Sequence, residues 1–165
     1  MPSKPPFYAQ SKPETCALVC LRRVLAHEGV DVTEEELIQR AAREPGGVNI
    51  EELARLARNF GLAARIERLD PPAIVLLIQQ DVFPIVYVQL LIAGEPTAHA
   101  VIPIEIDSKS ITVLDPLALP PGERQLLMAE FTTAQAWLGN VGGHLPPLKE
   151  SYQAILGSCS YLTRQ

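Results

Sequence analysis

Four residues of this chain have the types that break amide bonds: Cys16, His99, Asp115 and Gln10. A thiolate attacks a carbonyl carbon, an imidazole moves protons, a carboxylate fixes the imidazole, and an amide N–H stabilises an oxyanion. Cys16 lies in "QSKPETCALVCL", where a polar stretch carrying a proline runs into an apolar helical pattern. A cysteine near a helix N-terminus meets the positive end of the dipole and free N–H groups, and both favour the thiolate. Gln10 stands six residues before it. His99 opens the strand pattern "HAVIPIEI" and Asp115 ends the next one, "SITVLDP". Adjacent antiparallel strands would set the two side by side, and a helix packed on that sheet would bring Cys16 to the imidazole.

Each residue then has a role. Cys16 attacks as thiolate, and His99 pairs with it and protonates the leaving amine. Asp115 holds the ring tautomer. The Gln10 side-chain N–H and the Cys16 backbone N–H face the developing oxyanion, where one donor is worth roughly 3 kcal/mol. Taken singly, each signal has an ordinary structural reading. A helix cysteine is usually core, a strand-edge histidine is commonly a satisfied hydrogen-bonding residue, and Asp-Pro is a turn. Their weight is joint.

The elements that must position these residues are legible as a change of period. "ETCALVCLRRVLAHEG" reads as a helix with Ala17, Leu18, Leu21, Val24 and Leu25 inward, capped by a Ser11/Glu14 box or by Thr15. "VTEEELIQRAA" follows with Thr33 as cap and Glu36 three residues on, and "NIEELARLARNFGL" with Asn49 as cap and Gly61 as stop. The period then becomes two. Strands are expected in "AARIERL", "PAIVLLIQ", "FPIVYVQLLI", "HAVIPIEID" and "SITVLDP". "AEFTTAQAWLGN" returns to a helical pattern with Phe131, Ala134 and Leu138 on one side, and "CSYLTR" is a short last strand. Helices first and a mostly antiparallel sheet second make an α+β layout, expected as one domain over residues 1–165.

Composition narrows the class. With 165 residues, 47% hydrophobic and 20% charged, the chain is globular. A net charge of -5 and no basic stripe point away from nucleic acid and anionic membranes. The longest apolar run, "AIVLLI", is too short to span a bilayer, and "MPSKPPFYAQ" lacks the apolar region of a signal peptide. Three cysteines, Cys16, Cys20 and Cys159, do not make a complete disulfide framework, so a reducing cytoplasm is expected.

These residues resemble the C39-like cysteine peptidases of the papain-like superfamily. The resemblance lies in Gln10 six residues before Cys16, the Gly-Gly-plus-helix segment "GGVNIEELARLARNFGLAARIERL", the histidine of "HAVIPIEI", the Asp-Pro of "ITVLDP" and the Phe-then-Trp pattern "EFTTAQAWLG". It runs from about Gln10 to Gly139. It implies a papain-like fold, N-terminal helices packed on a mostly antiparallel sheet, with Gln10 as oxyanion residue, Cys16 as nucleophile, His99 as base and Asp115 as orienting acid. It also implies a peptide or other amide-containing substrate and no cofactor. Thr15 stands where the family often has Asp, Ala17 where it often has Gly, and Ala98 where Gly is usual. Those departures leave the substrate class open. No transporter segment follows, so coupling to leader-peptide export is not expected. An acyl or peptidyl transferase on the same covalent mechanism, or a peptide-binding module without turnover, are the alternatives.

Other residues carry competing readings. Cys20, one turn after Cys16, is core filler or a resolving thiol, and Cys159 reads as core. His27 closes the first helix, where a cation suits the dipole. His144 in "NVGGHLPPL" is a second candidate base, without the strand setting of His99. Tyr87 and Tyr161 read as core residues with the polar tip at the surface, and Trp137 as packing. There is no Cys-x-x-Cys, His-x-x-x-His or His-Glu-x-x-His for a metal, and "REPGGVNIEEL" lacks the lysine and spacing of a phosphate loop.

Overall fold

The structure, a computed structural model, describes residues 3–92, 95–131 and 158–164. Among them the elements run α1 (Cys16–His27), α2 (Glu34–Arg40), α3 (Ile50–Asn59), β1 (Leu62–Arg68), α4 (Pro71–Gln79), β2 (Ile85–Ile92), β3 (Glu95–Ile106), β4 (Ser110–Leu114), β5 (Glu123–Leu127) and β6 (Ser158–Arg164). The strands form one sheet in the order β1-β6-β2-β3-β4-β5, and every pairing is antiparallel.

Strand alternation divides the core between the two faces of this sheet. Along β2 and β3, Ile85, Tyr87, Ala100 and Ile102 join one cluster, while Val86, Val88 and Val101 join another. The first cluster is completed by Leu18, Leu21 and Leu25 of α1 and by Leu53 and Leu56 of α3. The second takes Ile74 of α4, Ile111 and Val113 of β4, and Phe131. Apolar cover on both faces explains why β2 opens with the consecutive apolar residues 85–88 rather than alternating. No helix among the described residues is long and apolar enough to cross a membrane.

Local chemistry sets the helix starts. Thr33 and Glu36 form a full capping box on α2, and the Asn49 side chain accepts the Glu52 N–H on α3. The start of α1 departs from both expected caps. Thr15 is the capping residue by position, but its side chain makes no cap hydrogen bond. Its hydroxyl turns away, 2.8 Å from Lys12 O and 2.6 Å from Glu34 Oε1. Ser11 likewise bonds Glu34, so no Ser11/Glu14 box forms.

Three further expectations are corrected. "PAIVLLIQ" is not a strand but α4: Asp70 Oδ1 caps Ala73 N–H at 2.9 Å, and Pro71 and Pro72 occupy the first turn, where their missing N–H groups cost nothing. An apolar run this short does not reveal its period. β5 was not foreseen, since "ERQLL" is largely exposed and shows no buried alternation. Tyr87 does not reach the surface; its hydroxyl donates to Val48 O at 2.8 Å inside the core. The last strand pairs between β1 and β2, and the late helix pattern is helical at residues 128–131, where Phe131 is buried. Trp137 and His144, with the side chains of Cys159 and Tyr161, lie outside the described residues.

Candidate active site

Cys16 is the first residue of α1, half-buried, at the helix end that carries free N–H groups. α1 packs along β3, and His99 comes from β3. The strand begins at Glu95, so His99 lies inside it rather than at its start; its side chain is 2% exposed. Asp115 is the first residue past β4, the neighbour of β3, and is also buried. His99 Nε2 and Asp115 Oδ1 are 2.7 Å apart. With Nε2 committed to the carboxylate, the hydrogen bond between His99 and Cys16 falls to the other ring nitrogen, Nδ1. Cysteine, imidazole and carboxylate thus stand in line.

The titration of each group follows from that line. Burial pushes the Cys16 thiol up, but the His99 hydrogen bond and charge, with the backbone N–H groups of Ala100 and Ala17, outweigh it and hold the thiol below its ordinary value of 9.0. Burial works against the His99 cation, yet hydrogen bonds to Asp115 and Cys16 and their charges push its pKa up to about 9. For Asp115, burial acts upward. The His99 and Leu117 N–H hydrogen bonds and the His99 and Arg124 charges act downward and hold the carboxyl below its usual range. The arrangement favours a thiolate beside an imidazolium, which is the reactive form of a nucleophilic cysteine.

Gln10 reaches the same end of the molecule through its backbone. Its N–H donates to Pro116 O at 3.0 Å, next to Asp115. One hydrogen of its side-chain amide goes to Lys12 O at 2.8 Å, and the second remains for another acceptor. Its Oε1 is buried with no hydrogen-bond partner among the described residues. The segment leading to Gln10 is held by the two arginines of α1. Arg23, fully buried, donates to Tyr8 O from Nε at 3.0 Å and Nη2 at 2.7 Å, and the Arg22 guanidinium lies 3.7 Å over the Tyr8 ring.

Residues that carried no sequence signal also build the site. Arg124 of β5 binds Asp115 Oδ2 at 3.2 Å, and the unforeseen strand hid it. Gly122, at φ +80, accepts the Asp115 N–H on its carbonyl at 2.8 Å. A Cβ there would lie 2.6 Å from the Phe7 ring and 2.8 Å from Arg23 Nη2. The Gly-Glu pair after Pro120 and Pro121 in "LPPGE" signals a turn, but nothing in it names a partner. Cys20, by contrast, is fully buried and its thiol is 3.4 Å from Ala100 O. Burial, then the Cys16 charge, pushes it well above its ordinary value, so it stays protonated in the core. No cluster of His, Cys, Asp or Glu among the described residues could hold a metal ion.

Similarities to known proteins agree with this picture. No curated protein matches the chain. Among solved structures, it is similar to a double-glycine-motif protease from an AMS/PCAT transporter in complex with its leader peptide, at 20% identity and a TM-score of 0.67, covering 99% of this chain and 95% of that one. It is also similar to the peptidase domain of Streptococcus ComA, a bi-functional ABC transporter of a quorum-sensing pathway, at 16% identity and a TM-score of 0.69, covering 98% and 99%. At such identities the likeness establishes the shared α+β, papain-like fold. The sequence profile of the peptidase C39 family matches residues 4–141, and the chain belongs to that family.

Proposed function

We propose that this chain is a cysteine peptidase that acts through a covalent acyl-enzyme, with Cys16, His99 and Asp115 as its triad and Gln10 as an oxyanion donor. The observation that carries the reading is the buried line from Asp115 through His99 to a Cys16 thiol held below its ordinary pKa. The Cys16 thiolate attacks the carbonyl carbon of a peptide bond. The oxyanion that forms meets the free amide N–H of Gln10 and the backbone N–H of Cys16. The His99 imidazolium gives its proton to the amide nitrogen as the C–N bond breaks, leaving a thioester and a free amine. Neutral His99 then takes a proton from water, whose oxygen attacks the thioester. The acid leaves, and the thiolate and imidazolium are restored. Asp115 remains ionised throughout and stabilises the imidazolium. A relative of the same fold binds a leader peptide, and we infer a peptide substrate here as well.

Digestion of a peptide library by the wild type and by Cys16→Ala, read by mass spectrometry, tests this. New termini that appear only with the wild type are expected. The same products from both proteins would overturn the assignment of Cys16.

A further inference from the structure

Residues 11–15 join Gln10 to Cys16, and their geometry fixes one relative to the other. This loop is gripped from α2 by one carboxylate. Glu34, 7% exposed, accepts the Ser11 hydroxyl on Oε2 at 2.6 Å and the Ser11 N–H at 3.3 Å. Its Oε1 lies 2.6 Å from the Thr15 hydroxyl, which is fully buried. The Thr15 hydroxyl is also 2.8 Å from Lys12 O, and that same carbonyl accepts the Gln10 side-chain N–H at 2.8 Å. The single Thr15 hydroxyl proton faces two acceptors, the Glu34 carboxylate and Lys12 O, so Glu34 fixes Ser11, next to Gln10, and Thr15, next to Cys16. From the other flank, Glu14 at φ 63 accepts the Gly46 N–H at 3.1 Å, and its carbonyl lies 2.8 Å from where a Cβ on Gly47 would stand. The loop is fixed on two sides.

We propose that Glu34 is a positioning residue for the oxyanion side of the site. The inference rests on the roles given above to Cys16 and Gln10. The groups that shift the Cys16 thiol are His99 and the N–H groups of Ala100 and Ala17, not Glu34. Glu34 therefore acts through the placement of Gln10 and not through the reactivity of the sulfur. Two reactions of the same thiolate separate these effects. Alkylation by iodoacetamide is a displacement at carbon, in which the C–S bond forms, iodide leaves and no oxyanion develops. Acyl transfer from p-nitrophenyl acetate forms a C–S bond through a tetrahedral oxyanion, and nitrophenolate leaves with the electron pair of the broken C–O bond.

Glu34→Leu keeps most of the bulk but removes both acceptors, leaving the Ser11 N–H and the Ser11 and Thr15 hydroxyls without their carboxylate. It is expected to slow Cys16-dependent nitrophenolate release about tenfold. Alkylation and its pH midpoint stay within about twofold of wild type, because the thiolate is untouched. Thr15→Val gives the same split, and Thr15→Ser restores most of what it loses. If Glu34→Leu does not give a cooperative melt by circular dichroism, Thr15→Val decides by the same criteria. Unchanged acyl transfer, or an equal loss in both reactions, overturns the proposal. Wild-type acyl transfer no faster than that of Cys16→Ala is a different result: it sinks the underlying assignment of Cys16 and this inference with it.

Discussion

Asp115 is bound on both oxygens, Oδ1 by His99 Nε2 and the Leu117 N–H, Oδ2 by Arg124. It cannot turn without breaking a charge-assisted bond, so the imidazole it holds is fixed in both tautomer and direction. The reactive form needs a deprotonated Cys16 and a protonated His99, which sets the sign of the pH dependence. Peptidase activity rises as Cys16 ionises below its ordinary 9.0 and falls as His99 loses its proton near about 9. Asp115→Asn removes the charge that raises His99. The alkaline limb of a pH profile of kcat/KM then moves to lower pH, and the rate falls on the order of 10²- to 10⁴-fold. An alkaline limb left in place would argue that Cys16 alone sustains the cation. Arg124→Gln is expected to cost less than about tenfold in kcat/KM, because Arg124 is 42% exposed and its charge is screened by solvent. At this scale the sequence was informative where residue type and spacing coincide: His99 pairs with Asp115 and interacts with Cys16, and the Gln10 N–H bonds the carbonyl next to Asp115. Glu34 and Arg124 were invisible because any solvated helix or strand carries such residues, and only the fold says which partners they meet.

Elements position these side chains by their ends. Cys16 opens α1, Asp115 follows β4, and Gln10 docks by its N–H on Pro116 O. The turn after Asp115 returns through Gly122, which packs against Phe7 and Arg23. Gly122→Ala combines a positive φ with three sub-3 Å contacts and is expected to cost about 1–3 kcal/mol. A thermal melt should show that loss, and activity should fall with it because Asp115 N–H bonds the Gly122 carbonyl. Unchanged stability would mean the turn relaxes freely. Thr33→Ala, which breaks the α2 capping box, is expected to cost about 1 kcal/mol, or roughly 2–4 °C in Tm. Helices with a capping residue and a clear apolar stripe, α2 and α3, were readable in advance. α4 was not: its stretch is rich in β-branched and leucine residues, and only the Asp-Pro-Pro start held the helical signal.

Across the whole molecule, the site is held together by segments far apart in sequence. The buried Arg23 guanidinium ties the chain before Gln10 to α1 through the Tyr8 carbonyl. Arg23→Met leaves that carbonyl without its partner and should loosen the N-terminal segment, read as faster hydrogen exchange at the Gln10 N–H. Protection equal to wild type would show that Pro116 holds the segment alone. The α+β layout was legible because the hydrophobic period turns from helical to two after α3, although α4 interrupts the strands. The sheet order was not, since β6 enters between β1 and β2 from the far end of the chain and no local pattern encodes that pairing. The central claim is that His99 holds the Cys16 sulfur ionised. The rate of Cys16 alkylation by iodoacetamide, followed against pH in the wild type and in His99→Ala, tests it most directly. A wild-type midpoint below 9.0 that moves upward in the variant is expected; superimposable curves would contradict it.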